Sequence, residues 1–156
     1  MKYRKRLIFL ISVMIAVTVW LLPNALVVSG MGDLSNMAEQ SFILINQERA
    51  SKGIPPLAWD NELEQKAVQW SSYMTNTEDY RHSDYNLTEN ITYGFNDYKE
   101  LYEMWRDSSV HHANMLDSSL THGAIGIAWK LYQVKLGDKR LTYLTGRPYA
   151  TFLAGR

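Results

Sequence analysis

"GAIGIAW", residues 123–129, alternates small and large side chains one by one. That period belongs to a β-strand with two unlike faces. Ile125, Ile127 and Trp129 share one face, and Ala124, Gly126 and Ala128 share the other. The large face suits a hydrophobic core, while the small face lets a helix approach closely. Beyond a turn at "LGDKR" (136–140), "LTYLT" (141–145) and "YATFLAG" (149–155) read as two more strands.

Upstream the period is helical. Leu34, Met37, Ala38, Phe42, Ile45 and Arg49 approximate one stripe, predicting a helix over about 36–52, stopped by Gly53, Pro55 and Pro56. Asp60 is an N-cap with Glu62 and Glu64 in the first turn, where the helix dipole favours acids. Leu63, Ala67, Trp70 and Met74 follow at spacings of 4, 3 and 4, one apolar face. Residues 76–96 are polar and read as a long loop, a length that is usually functional in a compact domain. Asp97 and Glu100 form a D-x-x-E variant of the capping box. Tyr98, Leu101, Tyr102 and Trp105 make the buried face of the helix it opens, which ends at Ser108 and Ser109 before a short turn, "VHHANML". Trp59, Trp70, Trp105 and Trp129 all read as core. Helices followed by strands, without βαβ alternation, predict an α+β fold in which helices cover a largely antiparallel sheet.

The first 30 residues differ in kind. "KYRKR" is followed by the uninterrupted apolar or neutral run Leu7–Leu22. Residues 1–30 therefore read as a signal peptide or an N-terminal membrane anchor, with 31–40 as a linker and helix entry and 41–155 as the domain. The body would lie outside the membrane, secreted or anchored to the cell membrane. The 156-residue chain holds one small domain. It has no cysteine, so it is held by packing rather than disulfides, which suggests a bacterial surface protein. The chain after residue 30 carries 12 basic and 16 acidic residues, a net charge of −4, which argues against nucleic acid as a partner.

Four polar residues could carry chemistry: His82, Glu89, His111 and His112. No local metal motif joins them. Adjacent histidines on a helix point about 100° apart, so at most one of His111 and His112 faces a given site. His122 reads as a strand-edge residue rather than a ligand.

Several blocks in order resemble the CAP superfamily, the SCP or cysteine-rich secretory protein-like domain, in its bacterial cysteine-free branch. An "N-x-x-R … G-x-x-P-L-x-W" block is Asn46, Arg49, Gly53, Pro56, Leu57 and Trp59. The "EN" motif is Glu89 and Asn90. A "W-x-x-S-x-x-H-R-x-N-x-L" block is Trp105, Ser108, His111, Asn114 and Leu116, with His112 in place of the arginine. Thr88 replaces the usual glycine before "EN", and "SV" the usual "PG" before the histidine.

The resemblance implies a three-layer α-β-α sandwich around a central, largely antiparallel sheet. It also implies a cleft of His82, Glu89 and His111. In the animal branch such a cleft has two histidines and two glutamates and can bind a divalent cation such as zinc. Ser108 stands here at the place of the second glutamate, so His82 and His111 are the candidate metal ligands. Glu89 is a candidate general base toward a metal-bound water, a carboxylate that orients a histidine, or a cap on backbone N–H groups that holds the long loop onto the helix opened by Asp97. The function implied is an extracellular binding module for a lipid, a cell-wall component, a host ligand or another small molecule. The alternative is a metal-assisted extracellular hydrolase, peptidase-like.

Overall fold

The computed structural model describes residues 25–136 and 139–156, with side chains over 33–132 and 146–156. The segment read as signal or anchor lies largely outside the described residues. No helix among the described residues is long and apolar enough to cross a membrane.

The order of elements is α1 (Ala25–Ser51), β1 (Ala58–Trp59), α2 (Asn61–Thr77), β2 (Thr88–Tyr93), α3 (Tyr98–Arg106), α4 (Ser109–Met115), β3 (His122–Leu136) and β4 (Lys139–Gly155). The four strands form one sheet in the order β1-β3-β4-β2. β3 pairs antiparallel with β4, and β4 with β2, while the two residues of β1 run parallel to β3. The expected α+β class and largely antiparallel sheet are both present.

Helices cover both faces, which makes the three layers. On one side α1 supplies Ala38, Phe42 and Ile45, α3 supplies Leu101 and Trp105, and α4 supplies Met115. They close on Ile125, Ile127, Ala150, Phe152 and Ala154 of the sheet. On the other side Leu63 and Ala67 of α2 meet Ala124 and Leu153. The alternation of "GAIGIAW" thus separates two cores. Gly126 marks the closest approach: a Cβ there would stand 2.1 Å from the Val68 amide nitrogen. Ser71 fastens the same contact, donating to the Gly126 carbonyl at 2.9 Å and lying 2.9 Å from the Thr151 hydroxyl.

Capping follows the sequence. Asp60 accepts from the Glu62 and Leu63 amides, and Asp97 from those of Lys99 and Glu100. Glu100 reaches back to the Asn96 amide rather than to Asp97, one residue further than the capping box expects.

Several expectations are corrected. α1 begins by Ala25, so residues 31–40 lie inside a helix; Asp33, Ser35 and Asn36 are exposed, and polar residues on a solvent face do not stop a helix. The supposed loop of 76–96 shrinks to 78–87, because α2 runs to Thr77 and "TENITY" is β2. Its buried Asn90 and Thr92 hid the strand, since they alternate as polar residues but face inward. "VHHANML" is mostly the short helix α4. The strands expected at 141–145 and 149–155 are one strand, β4. Of the four tryptophans read as core, only Trp105 is fully buried; Trp59 is partly buried and packs against both cores, and Trp70 and Trp129 are partly buried. Trp70 stacks on Tyr73 under the Arg81 guanidinium, and Ser71 takes the inward position. Tyr98, expected in the core, is 41% exposed.

Candidate functional site

Two residues of the "N-x-x-R" block, Asn46 and Arg49, are scaffolding. Asn46 reads the Leu57 peptide on both sides, donating to its carbonyl at 3.0 Å and accepting from its amide at 2.8 Å. This holds the chain straight into β1. The Arg49 guanidinium is fully buried and donates to the carbonyls of Pro55, Met115, Asp117 and Leu120 at 2.9–3.1 Å. One side chain thus satisfies the loop after α1 and the exit of α4, where carbonyls have no helical partner.

The cleft residues come from three elements. Glu89 lies opposite Leu153 in the β2–β4 ladder, so its side chain shares the α2 face of the sheet. Asn90 lies opposite Phe152 and faces the α4 side. There the Asn90 amide donates to the His111 carbonyl at 2.9 Å and its oxygen accepts from Asn114 at 2.8 Å. Asn114 also donates to the Glu89 carbonyl at 3.3 Å. The "EN" pair therefore divides its work: Asn90 anchors α4, which carries His111, and Glu89 turns to the loop that carries His82.

The Glu89 side chain is only 6% exposed and its oxygens are engaged. Oε1 accepts from His82 Nδ1 at 2.6 Å and from the Ser83 amide at 3.0 Å, and Oε2 from the Ser83 hydroxyl. A carboxylate only accepts, so His82 carries a proton on Nδ1 and leaves Nε2 for other partners. The His82 ring is 61% exposed. His111 is drawn below its usual pKa, first by burial and then by the charge that His82 would carry. That direction favours a neutral His111 imidazole at neutral pH. The structure thus brings His82 and Glu89 into contact, and His111 into electrostatic range of His82.

Among the described residues no group of three or more His, Cys, Asp or Glu side chains is placed to hold a metal ion. The described donors amount to two imidazoles, short of the three protein ligands of an open zinc site. Glu89 is occupied as a clamp on its loop and an orienter of His82.

His112 turns elsewhere. Its Nε2 lies 2.7 Å from Glu48 Oε1, and Tyr102 donates to Glu48 Oε2 at 2.7 Å. Burial works to raise the Glu48 pKa, but the hydrogen bonds from Tyr102 and His112 outweigh it and hold it low. Burial and the neighbouring Glu48 push Tyr102 up to about 12. Sequence reading missed this cluster, because its partners lie 54 and 64 residues apart and no local spacing links them. His122 sits exposed at the first position of β3, at the end of the strand, paired with Ala58 of β1 on one side and Gly155 of β4 on the other.

A three-layer sandwich whose "EN" strand holds a histidine loop on one side and a histidine helix on the other defines an SCP-type domain. The chain belongs to the cysteine-rich secretory protein family (CAP), whose profile matches residues 42–133. Solved structures share the fold. One is an extracellular protein containing an SCP domain from Bacillus anthracis, with 21% identity and a TM-score of 0.57, covering 76% of this chain and 40% of that one. Another is a cysteine-rich secretory protein of Staphylococcus aureus, with 18% identity and a TM-score of 0.50, covering 76% and 38%. A third is an outer surface protein of Borrelia burgdorferi, with 14% identity and a TM-score of 0.52, covering 74% and 89%. The chain thus spans well under half of the first two. No curated protein sequence matches it.

Proposed function

We propose that this domain works outside the cytoplasmic membrane as a binding module, with its ligand in the cleft of His82, Glu89 and His111. The reading is supported by the basic start and apolar run of residues 1–30, and by relatives described as extracellular or secreted. The observation that carries the cleft is the 2.6 Å contact between His82 and Glu89, which fixes one imidazole with its free nitrogen outward. A fixed imidazole within electrostatic range of a second, partly buried one suits recognition of a polar group on a lipid, wall component or host molecule. A divalent cation such as zinc fits only as a bridge, held by the two imidazoles and completed by donors of the ligand or water. The hydrolase alternative asks Glu89 to act as a base, and that carboxylate already accepts three hydrogen bonds.

The test compares wild type with His82→Ala and His111→Ala. Retention on phospholipid vesicles and on isolated cell walls is measured with and without zinc, beside turnover of peptide substrates. Binding to vesicles or walls that both substitutions weaken, without turnover, supports the reading. Zinc-dependent peptide turnover abolished by Glu89→Gln would replace it with the hydrolase.

A further inference from the structure

β2 runs from the histidine cleft to a second feature. Tyr93, its last residue, shares the face of Glu89 four residues earlier, about 13 Å away along the strand. Tyr93 lies directly opposite Tyr149 in the ladder, and the two rings stack at 5.4 Å with planes 23° apart. Tyr80, from the segment after α2, meets Tyr93 in a T-shaped pair at 5.0 Å and 70°. Its hydroxyl donates to the Ile91 carbonyl at 2.9 Å, which fixes the ring. Tyr80 and Tyr93 are nonetheless 44% and 40% exposed.

The three rings line a cavity of about 390 Å³ with a charged rim of Glu78, Lys130 and Arg147. That volume lies within the range of small-ligand pockets, about 300–1,000 Å³. Lys130 is bound to Glu78 at 2.8 Å, so that pair is neutral. The stem of Arg147 lies against Gly94, and among the described residues its guanidinium has no hydrogen-bond or ion partner. The cavity therefore carries one uncompensated positive charge among the described residues. Of the four described positive-φ residues, Glu78 and Gly146 line it and Gly94 supports Arg147. Glu78 is left-handed because it caps the C-terminus of α2, its amide donating to the Met74 carbonyl.

We propose that this cavity is a carbohydrate site that takes a carboxylated pyranose. The C–H face of a sugar ring lies flat on a tyrosine, and rigid exposed rings give that platform at little entropic cost. Glu78 and Lys130 offer an acceptor and a donor to ring hydroxyls. Arg147 offers a planar fork to the carboxylate. Free cationic ligands are repelled by the net charge, and the rim is too polar for an acyl chain. The site does not rest on the cleft reading and uses none of its residues.

The test is calorimetric titration of the full chain, in a detergent without a sugar headgroup. The probes are oligomers of galacturonic acid and, as the neutral counterpart, of galactose. The acidic oligomer should bind roughly tenfold or more tightly, the worth of a charge-assisted pair. Tyr93→Ala should abolish binding and Tyr93→Phe should keep it. Arg147→Gln should erase the preference for the acid, and His82→Ala should change nothing. Thermal melts of each variant establish that it is folded. Equal affinity for the two oligomers, no binding of either, binding unaltered by Tyr93→Ala in a folded protein, or a preference that survives Arg147→Gln would overturn the proposal.

Discussion

Gly126→Ala adds one methyl group at the tightest point of the fold. Its Cβ would stand 2.1 Å from the Val68 nitrogen and 2.3 Å from the Ala67 carbonyl carbon. Unstrained contact needs about 3.5 Å, so α2 must retreat by roughly 1.5 Å. The obstructing atoms are helix backbone and cannot rotate aside. Retreat also parts Leu63 and Ala67 from Ala124 and Leu153, and stretches the buried 2.9 Å bond from Ser71 to the Gly126 carbonyl. Overpacking costs about 1–3 kcal/mol and sometimes more, and a lost buried hydrogen bond about 1 kcal/mol. A loss of about 3–4 kcal/mol is expected, a large part of a domain's roughly 5–15 kcal/mol. Urea unfolding of wild type and variant measures it, with the slope checked for constancy. Gly53→Ala is the contrast: its Cβ meets nothing within 4 Å, and its φ of +70° predicts only about 1–2 kcal/mol from backbone strain. A loss below about 1 kcal/mol for Gly126→Ala would refute the close helix–sheet contact.

Other outcomes follow from the same structure. Arg49→Met strands four carbonyls, two of them bonded in fully buried contacts, and should cost about 3–5 kcal/mol in denaturant unfolding, with Arg49→Lys costing less. Trp105→Ala, at a fully buried ring, should cost about 3–5 kcal/mol in the same assay. His111 has its folded pKa lowered, so the unfolded chain binds its proton first and stability falls as pH drops through about 6.5 toward the lower folded value; His111→Gln should flatten that part of a pH–stability curve. Glu89→Gln should release the 82–83 turn, seen as faster amide exchange of Ser83 with little change in core protection.

The sequence by itself carried the parts of the fold that repeat locally. The alternation of "GAIGIAW" separated the two cores because side chains in a strand point to opposite faces, and β3 keeps that assignment. Asp60 and Asp97 marked helix starts because a cap is a bond to the next few residues. The stripe from Leu34 to Arg49 was legible as helical period, and "EN" with the histidines as family pattern. Only the tertiary structure decided what those residues touch. "TENITY" became a strand because β4 supplies its ladder partners and because the side chains of Asn90 and Thr92 find partners on α4 and α3. Trp70 yielded the interior to Ser71 because the glycine at 126 leaves room for a hydroxyl and not for an indole. Glu89 became a clamp because the fold set Ser83 and His82 against it, and His112 left the cleft because Glu48, 64 residues away, stood within 2.7 Å. A contact such as that of His112 with Glu48 depends on how distant segments meet, and no local spacing encodes that.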